Sequence, residues 1–347
     1  HETWRQALVA FQPADGLLIT PSWCAGEFSV RLDNIGEQCR GITSWVLFDG
    51  PVAASDCAIY GEGFQMLAQS GGSWGAPEAI GRCPDAAVYR ISPDDGYHTV
   101  HNRLMYQLEG QWHLLGFTSC RRFGGEFRLY PDGRLQILLN SEGLLLGAGK
   151  HWQSESLLVL CGTNREALLQ EYATRIKHHH PALAAQPRAT GWCSWYHYYA
   201  QVTRQDIVEN LQQMTSKFPR FQFVQIDDGY QRAMGDWLLP AEHFSGGLSS
   251  LVATIQDAGF EPALWVAPFI AEPGSQLFRD HPEWFVKNAQ GEPMPAESVT
   301  YGGWRCTPWF VLDGTHPGVQ AHLRQLFHTL RHEYGIRYFK LDANFWG

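Results

Sequence analysis

The sequence predicts two structural units: an N-terminal antiparallel β-sandwich, and an α/β unit that forms the first half of a TIM-type (β/α)8 barrel. Many short apolar runs separated by Gly and Pro indicate the sandwich. Farther along, strands alternate with helices, which is typical of a parallel sheet, and acidic residues follow the strands, as on the catalytic face of a barrel. We place the sandwich at 1–163, a linking helix and connection at 164–186, and the half-barrel at 187–347.

The first unit contains a clear hairpin and is followed by a helix. Alternating apolar and polar residues at 126–130 and 134–138 flank Pro131-Asp132-Gly133, a turn sequence that joins antiparallel strands. Residues 164–178 carry Leu, Tyr and Ile at helical spacing, so we predict a helix there. We expect the chain to connect the two units at 182–189.

The second unit repeats a strand followed by a helix. A capping box formed by Thr203 and Asp206 begins its first helix. An aromatic-rich insertion is expected at 280–312. Because half a barrel leaves open sheet edges, we expect a fragment that lacks its C-terminal portion, or a second chain that supplies the other half. The predicted strands are 190–194, 221–226, 261–268 and 336–341, and the later helices are 248–258 and 318–334.

Composition and charge exclude several classes of protein. The chain has 347 residues, with 26 Lys and Arg against 35 Asp and Glu, and its net charge of −9 disfavours a nucleic-acid partner. Hydrophobic residues make up 44% of the chain, enough for a large core. No apolar stretch is long enough for a membrane helix, and no signal peptide is visible. The eight cysteines are scattered without metal-like spacing, so we predict a cytoplasmic protein without a metal site.

Three acidic residues, Asp227, Asp228 and Asp342, directly follow apolar strands. Taken singly, an Asp at such a position caps the next turn or helix. Together they would lie at one edge of the sheet, where barrel enzymes hold their active sites. Retaining glycosidases place two carboxylates about 5 Å apart, one as nucleophile and one as acid and base. The three acids, with 14 Trp residues that offer indoles for stacking on a sugar, favour a carbohydrate-active enzyme.

Six strings of residues follow one another between positions 190 and 345. They are Gly191-Trp192-Cys193-Ser194-Trp195-Tyr196, Val224-Gln225-Ile226-Asp227-Asp228-Gly229-Tyr230, Gly235-Asp236-Trp237, Leu264-Trp265-Val266-Ala267-Pro268-Phe269, His281-Pro282-Glu283-Trp284 and Tyr338-Phe339-Lys340-Leu341-Asp342. In this order and spacing they resemble the melibiase-type α-galactosidases of glycoside hydrolase family 36, in clan D. The N-terminal β region fits the family by architecture, with weaker support around Gly63-Phe64-Gln65.

The resemblance implies a (β/α)8 barrel and a double-displacement mechanism that retains the anomeric configuration. It makes Asp342 the nucleophile, which forms a covalent galactosyl-enzyme. Lys340 lies two positions earlier on the same strand face, where it would hold Asp342 ionised or bond a sugar hydroxyl. Asp227 and Asp228 would accept hydrogen bonds from the O4 and O6 hydroxyls of galactose.

Other residues complete the implied site. Trp195 and Trp265 would line the pocket for the sugar ring, although each residue type is more often core. Arg305, in the loop Trp304-Arg305-Cys306, would add a donor. The family's acid and base lies downstream of the nucleophile, beyond the last residue given, so we expect this stretch alone to lack leaving-group protonation. We expect an α-galactoside oligosaccharide as substrate, no cofactor, and a homo-oligomer as in many family members.

Three alternative functions stay open at this level. A transferase of the raffinose-synthase kind would share the nucleophile and pass galactose to another sugar. A non-catalytic carbohydrate-binding protein would need no acid or base. A serine hydrolase would use Ser73 in Gly71-Gly72-Ser73-Trp74-Gly75, but no buried strand precedes this motif and Pro77 follows it. The sequence therefore favours a retaining α-galactosidase over these three alternatives.

Overall fold

The structure, a computed structural model, describes residues 16–52, 54–64, 67–81, 95–181, 190–298, 303 and 305–344. It divides into two compact units, residues 1–184 and 185–347. The predicted connection at 182–189 lies outside the described residues, as do Gln65 and Trp304.

The first unit is an antiparallel β structure, as the sequence predicts. Its strands are β1 (Leu17–Cys24), β2 (Glu27–Asn34), β3 (Arg40–Pro51), β4 (Ile59–Glu62), β5 (Ala68–Ser73), β6 (Ala76–Gly81), β7 (His98–Leu108), β8 (Gln111–Phe117), β9 (Gly124–Leu129), β10 (Arg134–Leu146), β11 (His151–Gln153) and β12 (Leu157–Gly162). They form a 12-stranded sheet with the order β1-β2-β12-β8-β7-β4-β5-β6. Strand β9 branches from β7 and continues through β10 to β3, and β11 pairs with β2.

The predicted hairpin joins β9 to β10. Leu129 pairs with Leu135 in antiparallel register. Between the strands, the side chain of Asp132 accepts a hydrogen bond from the N–H of Arg134 at 3.1 Å. Gly133 has a φ of 89°, a left-handed backbone that glycine adopts without steric cost. The turn residues in the sequence therefore match the conformation of this turn.

A helix belongs to the first unit and docks on its sheet. Helix α1 spans Arg165–His179, and the side chain of Asn164 caps it by accepting from the N–H of Ala167 at 3.1 Å. Tyr172, on its inner side, is 7% exposed. Its hydroxyl donates to the carbonyl of Phe117 in β8 at 2.8 Å, which ties the helix to the sheet.

The second unit alternates strands and helices, and its four predicted strands are all present. The strands of the unit are β13 (Gly191–Cys193), β14 (Phe223–Ile226), β15 (Glu261–Val266), β16 (Ile270–Ala271), β17 (Phe310–Val311) and β18 (Tyr338–Leu341). The four predicted ones form a parallel sheet with the order β13-β14-β15-β18, and β16 pairs with β17. The α-helices are α2 (Trp195–Tyr198), α3 (Arg204–Lys217), α4 (Gly247–Asp257), α5 (Gln276–Asp280) and α6 (Pro317–His328), and the 3-10 turns are Tyr199–Gln201, Glu242–Phe244, Pro282–Trp284 and Ala296–Ser298.

Two helices test the predictions made for this unit. The capping box that begins α3 is confirmed, since Thr203 accepts from the N–H of Asp206 and Asp206 accepts from that of Thr203. The single helix predicted at 318–334 instead divides into α6 and a π-helical turn at Thr329–Glu333. The spacing of apolar residues does not distinguish a π-helical turn, whose hydrogen bonds span five residues, from an α-helical turn, whose hydrogen bonds span four.

No helix in the described part of the chain is both long and apolar enough to cross a membrane.

The two faces of strand β14 have different environments. Val224 and Ile226 are fully buried in the core of the unit, together with Leu211 of α3. Successive side chains of a strand point to opposite faces, so Gln225 lies on the other face. Asp227, the residue after the strand, continues that second face. The strand therefore packs one face on helices and uses the other to carry polar groups.

Candidate active site

The carboxyl ends of the parallel strands bring the predicted acids together. Asp227 directly follows β14 and Asp342 directly follows β18. The N–H of Asp342 donates to the carbonyl of Val266 at the end of β15, at 3.0 Å. A cavity of about 170 Å³ lies here, and six of the predicted site residues line it: Trp195, Asp227, Asp228, Trp265, Lys340 and Asp342.

A sharp turn after β14 carries the two adjacent acids Asp227 and Asp228, which we call the tandem acids. Each of them is 1% exposed. The N–H of Asp227 donates to Oγ of Ser194, and the N–H of Asp228 donates to Oδ1 of Asp227, both at 3.0 Å. Gly229 follows with a φ of 122°, and a Cβ there would lie 2.7 Å from the carbonyl oxygen of Ala200. Only glycine fits this backbone, so the Asp-Asp-Gly order is a requirement of the turn.

Lys340 binds Asp227, with its Nζ 3.1 Å from Oδ2. The sequence suggested Asp342 as a partner because that residue shares the strand. Side chains two positions apart on a strand lie about 7 Å apart and point in parallel, so the long Lys side chain reaches past β15 to the carboxyl end of β14 instead. Burial lowers the pKa of Lys340, but the carboxylate of Asp227 outweighs burial and raises this pKa above its ordinary 10.5. Lys340 therefore supplies a positive charge beside Asp227 at neutral pH.

Arg305 binds Asp228 through two nitrogens. Its Nε donates to Oδ2 at 2.7 Å, and its Nη2 donates to Oδ1. Gln231 adds a donation from Nε2 to Oδ1 at 2.7 Å. The indole of Trp309 donates to the carbonyl of Arg305 at 2.7 Å, which anchors the loop. Burial lowers the pKa of Arg305, but Asp228 raises it by more. Arg305 thus contributes to the site through Asp228.

Asp342 has neutral hydrogen-bond donors as its partners. Its Oδ2 accepts from Nε1 of Trp265 at 3.1 Å, and its Oδ1 accepts from the N–H of Ala343 at 2.8 Å. Trp265 is 1% exposed and packs edge-on against Trp237, with ring centroids 5.7 Å apart. Ala343 has a φ of 54°, a left-handed backbone that costs a residue with a Cβ about 1 kcal/mol. Such strained residues cluster at functional sites.

A second indole lines the cavity. Trp195, the first residue of α2, is half-buried and makes an edge contact with Tyr199 at 5.3 Å between centroids. Together with Trp265 it gives the cavity two indole rings beside the carboxylates. Aromatic faces bind apolar surface, and a few placed polar groups fix orientation, so this lining suits a sugar ring with its hydroxyls.

Two residues for which no role was predicted, Gln225 and Cys193, also contact Asp227. Nε2 of Gln225 donates to Oδ2 of Asp227 at 2.6 Å, and Sγ of Cys193 donates to the same oxygen at 3.4 Å. Gln225 lies two residues before Asp227, and Cys193 lies opposite Gln225 in the parallel register. Strand alternation within the motif was the signal that could have found Gln225, because it predicts the shared face.

Two other residues of the sequence motifs, Asp236 and Ser73, have structural surroundings. Asp236 is 4% exposed and accepts from the N–H of Gln276 at 2.8 Å, so it caps α5. Ser73 ends β5, and β6 begins at Ala76, an arrangement of strand, turn and strand that differs from the strand-to-helix turn of a hydrolase nucleophile. Within the described ranges, no group of three or more His, Cys, Asp and Glu side chains could hold a metal ion.

Comparisons with known proteins identify relatives. A family model described as Melibiase matches residues 153–345. The α-galactosidase of Escherichia coli is 29% identical over 126 residues, which cover 34% of this chain and 16% of that protein. TtGalA, an α-galactosidase from Thermus thermophilus in complex with p-nitrophenyl α-D-galactopyranoside, has a TM-score of 0.63 at 21% identity, over 95% of this chain and 60% of that one. A variant of the GH36 α-galactosidase AgaA from Geobacillus stearothermophilus, in complex with raffinose, has a TM-score of 0.64 at 16% identity, over 91% of this chain and 45% of that one. The chain therefore spans less than two thirds of each of these relatives, and the two structures share its fold.

Proposed function

The chain belongs to the melibiase family, and from this premise we propose that it carries the site of a retaining α-galactosidase. The observation that carries the proposal is the convergence of three aspartates and two indoles on one cavity at the ends of parallel strands. Active sites of (β/α)8 barrels lie at this edge, and we interpret the parallel sheet as the first half of such a barrel, preceded by a β-sandwich. Relatives bind stachyose and raffinose, which supports α-galactosyl oligosaccharides as the substrate class.

Asp342 is the nucleophile in this proposal. Its hydrogen-bond partners among the described residues are an indole N–H and a backbone N–H, which orient the carboxylate, while Lys340 is bonded to Asp227 instead and its charge acts on Asp342 through space. One carboxylate oxygen bonds to the anomeric carbon while the bond from that carbon to the leaving oxygen breaks. The leaving oxygen takes up a proton, and water then hydrolyses the galactosyl ester with retention of configuration.

Asp227 and Asp228 bind hydroxyls of the sugar in this proposal. Each is nearly fully buried and is held in one orientation by a cation, Lys340 or Arg305. A sugar whose hydroxyls fail to meet these oxygens leaves buried polar groups unpaired, which is how a rigid polar site rejects the wrong epimer. The pair therefore supports selectivity for galactose over glucose.

Leaving-group protonation is assigned to neither tandem acid. A general acid has to present a proton to the glycosidic oxygen. Carboxyls that already accept from Lys340 and from Arg305 are poorly placed to do so. A substrate with an activated leaving group needs little protonation, so it tests the nucleophile separately from the acid.

The test of the proposal is to trap the intermediate on Asp342. The protein is incubated with an activated fluorinated α-galactosyl donor, and its peptides are analysed by mass spectrometry. We expect an ester on Asp342, and we expect Asp342→Asn to remove it and to slow turnover of p-nitrophenyl α-galactoside on the order of 10⁴-fold. Asp236→Asn is the matched control, because that buried acid caps a helix. An ester on another residue, or unchanged turnover by D342N, would overturn the assignment.

Two alternatives predict different outcomes of the same experiment. A carbohydrate-binding protein would bind galactose and form no ester on Asp342. A transferase would form the ester and then pass galactose mainly to an added acceptor sugar. Product analysis with excess acceptor therefore separates hydrolysis from transfer, and predominant transfer would contradict the α-galactosidase proposal.

A further inference from the structure

One oxygen of Asp227 is surrounded by three side-chain donors. Gln225 Nε2 lies 2.6 Å from Oδ2, Lys340 Nζ lies 3.1 Å from it, and Cys193 Sγ lies 3.4 Å from it. Gln225 Nε2 also donates to Cys193 Sγ at 3.2 Å. The four side chains thus form one connected network at the floor of the site.

The parallel sheet fixes the places of these residues. Gln225 and Asp227 share a face of β14 because they are two positions apart. Cys193 on β13 is the direct partner of Gln225 in the register of the sheet. The network therefore depends on the order and register of the strands. Its side chains lie on strands of the sheet or directly after one, and none of them comes from a surface loop that could move independently.

The amide nitrogen of Gln225 has two acceptors within hydrogen-bond distance, Oδ2 of Asp227 and Sγ of Cys193. A flipped amide would place its oxygen against the carboxylate, so the nitrogen faces Asp227. Burial raises the pKa of Cys193 to about 11, so this thiol keeps its proton at neutral pH and can donate it. Cys193 accordingly accepts from Gln225 and donates to Asp227.

The donors are distributed unequally over the two oxygens. A carboxylate oxygen offers about two acceptor positions. Oδ2 of Asp227 has three side-chain donors, whereas Oδ1 takes the N–H of Asp228 at 3.0 Å as its donor among the described residues. Oδ2 is therefore filled, and Oδ1 keeps one position for a hydroxyl.

We infer that Gln225 and Cys193 are positioning residues that fill Oδ2 of Asp227 and so direct the sugar hydroxyl to Oδ1. This inference rests on the proposed function, since it concerns how the same site recognises its sugar. Because the acceptor positions of Oδ2 are filled, the sugar hydroxyl donates to Oδ1, which is held at one fixed position. Without Gln225, Lys340 and Cys193 remain as donors to Oδ2, but the thiol of Cys193 loses the hydrogen bond that holds it. The carboxylate is then held less firmly, and a sugar with a different hydroxyl orientation finds a partner.

The experiment compares binding of D-galactose and D-glucose to the wild-type chain and to four variants. Tryptophan fluorescence reports binding because Trp195 and Trp265 line the cavity. Gln225→Met removes both donations at similar size, and Cys193→Ala removes the thiol. Cys193→Ser restores a donor, and Gln222→Met is the matched control at an exposed Gln just before the same strand.

We expect Q225M to weaken galactose binding about tenfold, the effect of losing a hydrogen bond to a charged group, with little change for glucose. We expect C193A to lower the preference for galactose and C193S to restore it, while Q222M keeps the wild-type preference. A merely structural role would weaken both sugars equally and would not be rescued by Ser.

Two outcomes overturn the inference in distinguishable ways. If the wild-type chain prefers galactose and both Q225M and C193A keep that preference, the positioning roles are wrong while the proposed function stands. If the wild-type chain shows no preference for galactose over glucose, the proposed function fails and the positioning roles fail with it. Circular dichroism identifies any variant that has lost its fold, and the remaining variant then decides.

Discussion

Replacing Arg305 with Gln should lower the free energy of unfolding of the second unit by about 3 kcal/mol. The side chain of Asp228 is 1% exposed and that of Arg305 is 29% exposed. After the substitution, the buried carboxylate of Asp228 loses its cation. Among the described residues it then keeps the Gln231 amide as its side-chain donor. Breaking a fully buried ion pair costs about 3–5 kcal/mol, and the partial exposure of Arg305 places this pair at the lower end.

Arg232→Gln is the matched control, because it also removes an Arg from a buried Asp. The side chain of Asp236 is 2% exposed and pairs with that of Arg232, which is 47% exposed. After this substitution Asp236 still accepts from the backbone N–H of Gln276 at 2.8 Å. We therefore expect R232Q to cost about 1 kcal/mol, the range of a surface pair.

The assay is hydrogen exchange along a urea series, read by mass spectrometry on peptides that cover 221–231. This readout follows the second unit alone. With a slope of about 2 kcal/mol/M, R305Q should move the midpoint down by about 1.5 M and R232Q by about 0.5 M. Equal shifts, or a larger shift for R232Q, would refute the reasoning that the remaining donors of each carboxylate decide the cost.

Two further predictions concern a helix cap and a thiol. Thr203→Ala should destabilise the second unit by about 1 kcal/mol in the same assay, since it removes the capping box of α3, while Thr215→Ala in the last turn of that helix should change little. Iodoacetamide should modify Cys193 far more slowly than the exposed Cys39 at pH 8, because the pKa near 11 keeps its thiol protonated, and the rate should rise as the pH approaches 11. Peptide mass spectrometry measures both rates, and equal rates at pH 8 would contradict the prediction.

Local sequence signals were sufficient for much of the fold. The turn around Gly133 and the capping box at Thr203 depend on residues within a few positions of each other, and both were predicted correctly. The sequence also predicted that Asp227 and Asp342 lie close together, because parallel strands place their carboxyl ends at one edge of the sheet, and both residues line the same cavity. The first two features depend on short-range rules, and the third depends on the geometry that every parallel sheet shares.

The partners of the acids could not be predicted in the same way. Lys340 reaches Asp227 on another strand, and Arg305 reaches Asp228 from a distant loop. These choices depend on side-chain length, strand order and burial, which no local pattern contains. The network through Gln225 was closer to prediction, because alternation along β14 already places it beside Asp227.

Burial explains why the two cations bind the tandem acids and leave Asp342 to neutral donors. Asp227 and Asp228 are each 1% exposed, and a carboxylate so deeply buried is costly unless a positive charge accompanies it. Asp342 is less buried, so the N–H groups of Trp265 and Ala343 are enough to orient it. Had Lys340 bound Asp342, Asp227 would have been buried without its cation and the proposed nucleophile would have been weakened. The same assignment of charges thus serves both the stability of the site and the reactivity that we propose for it.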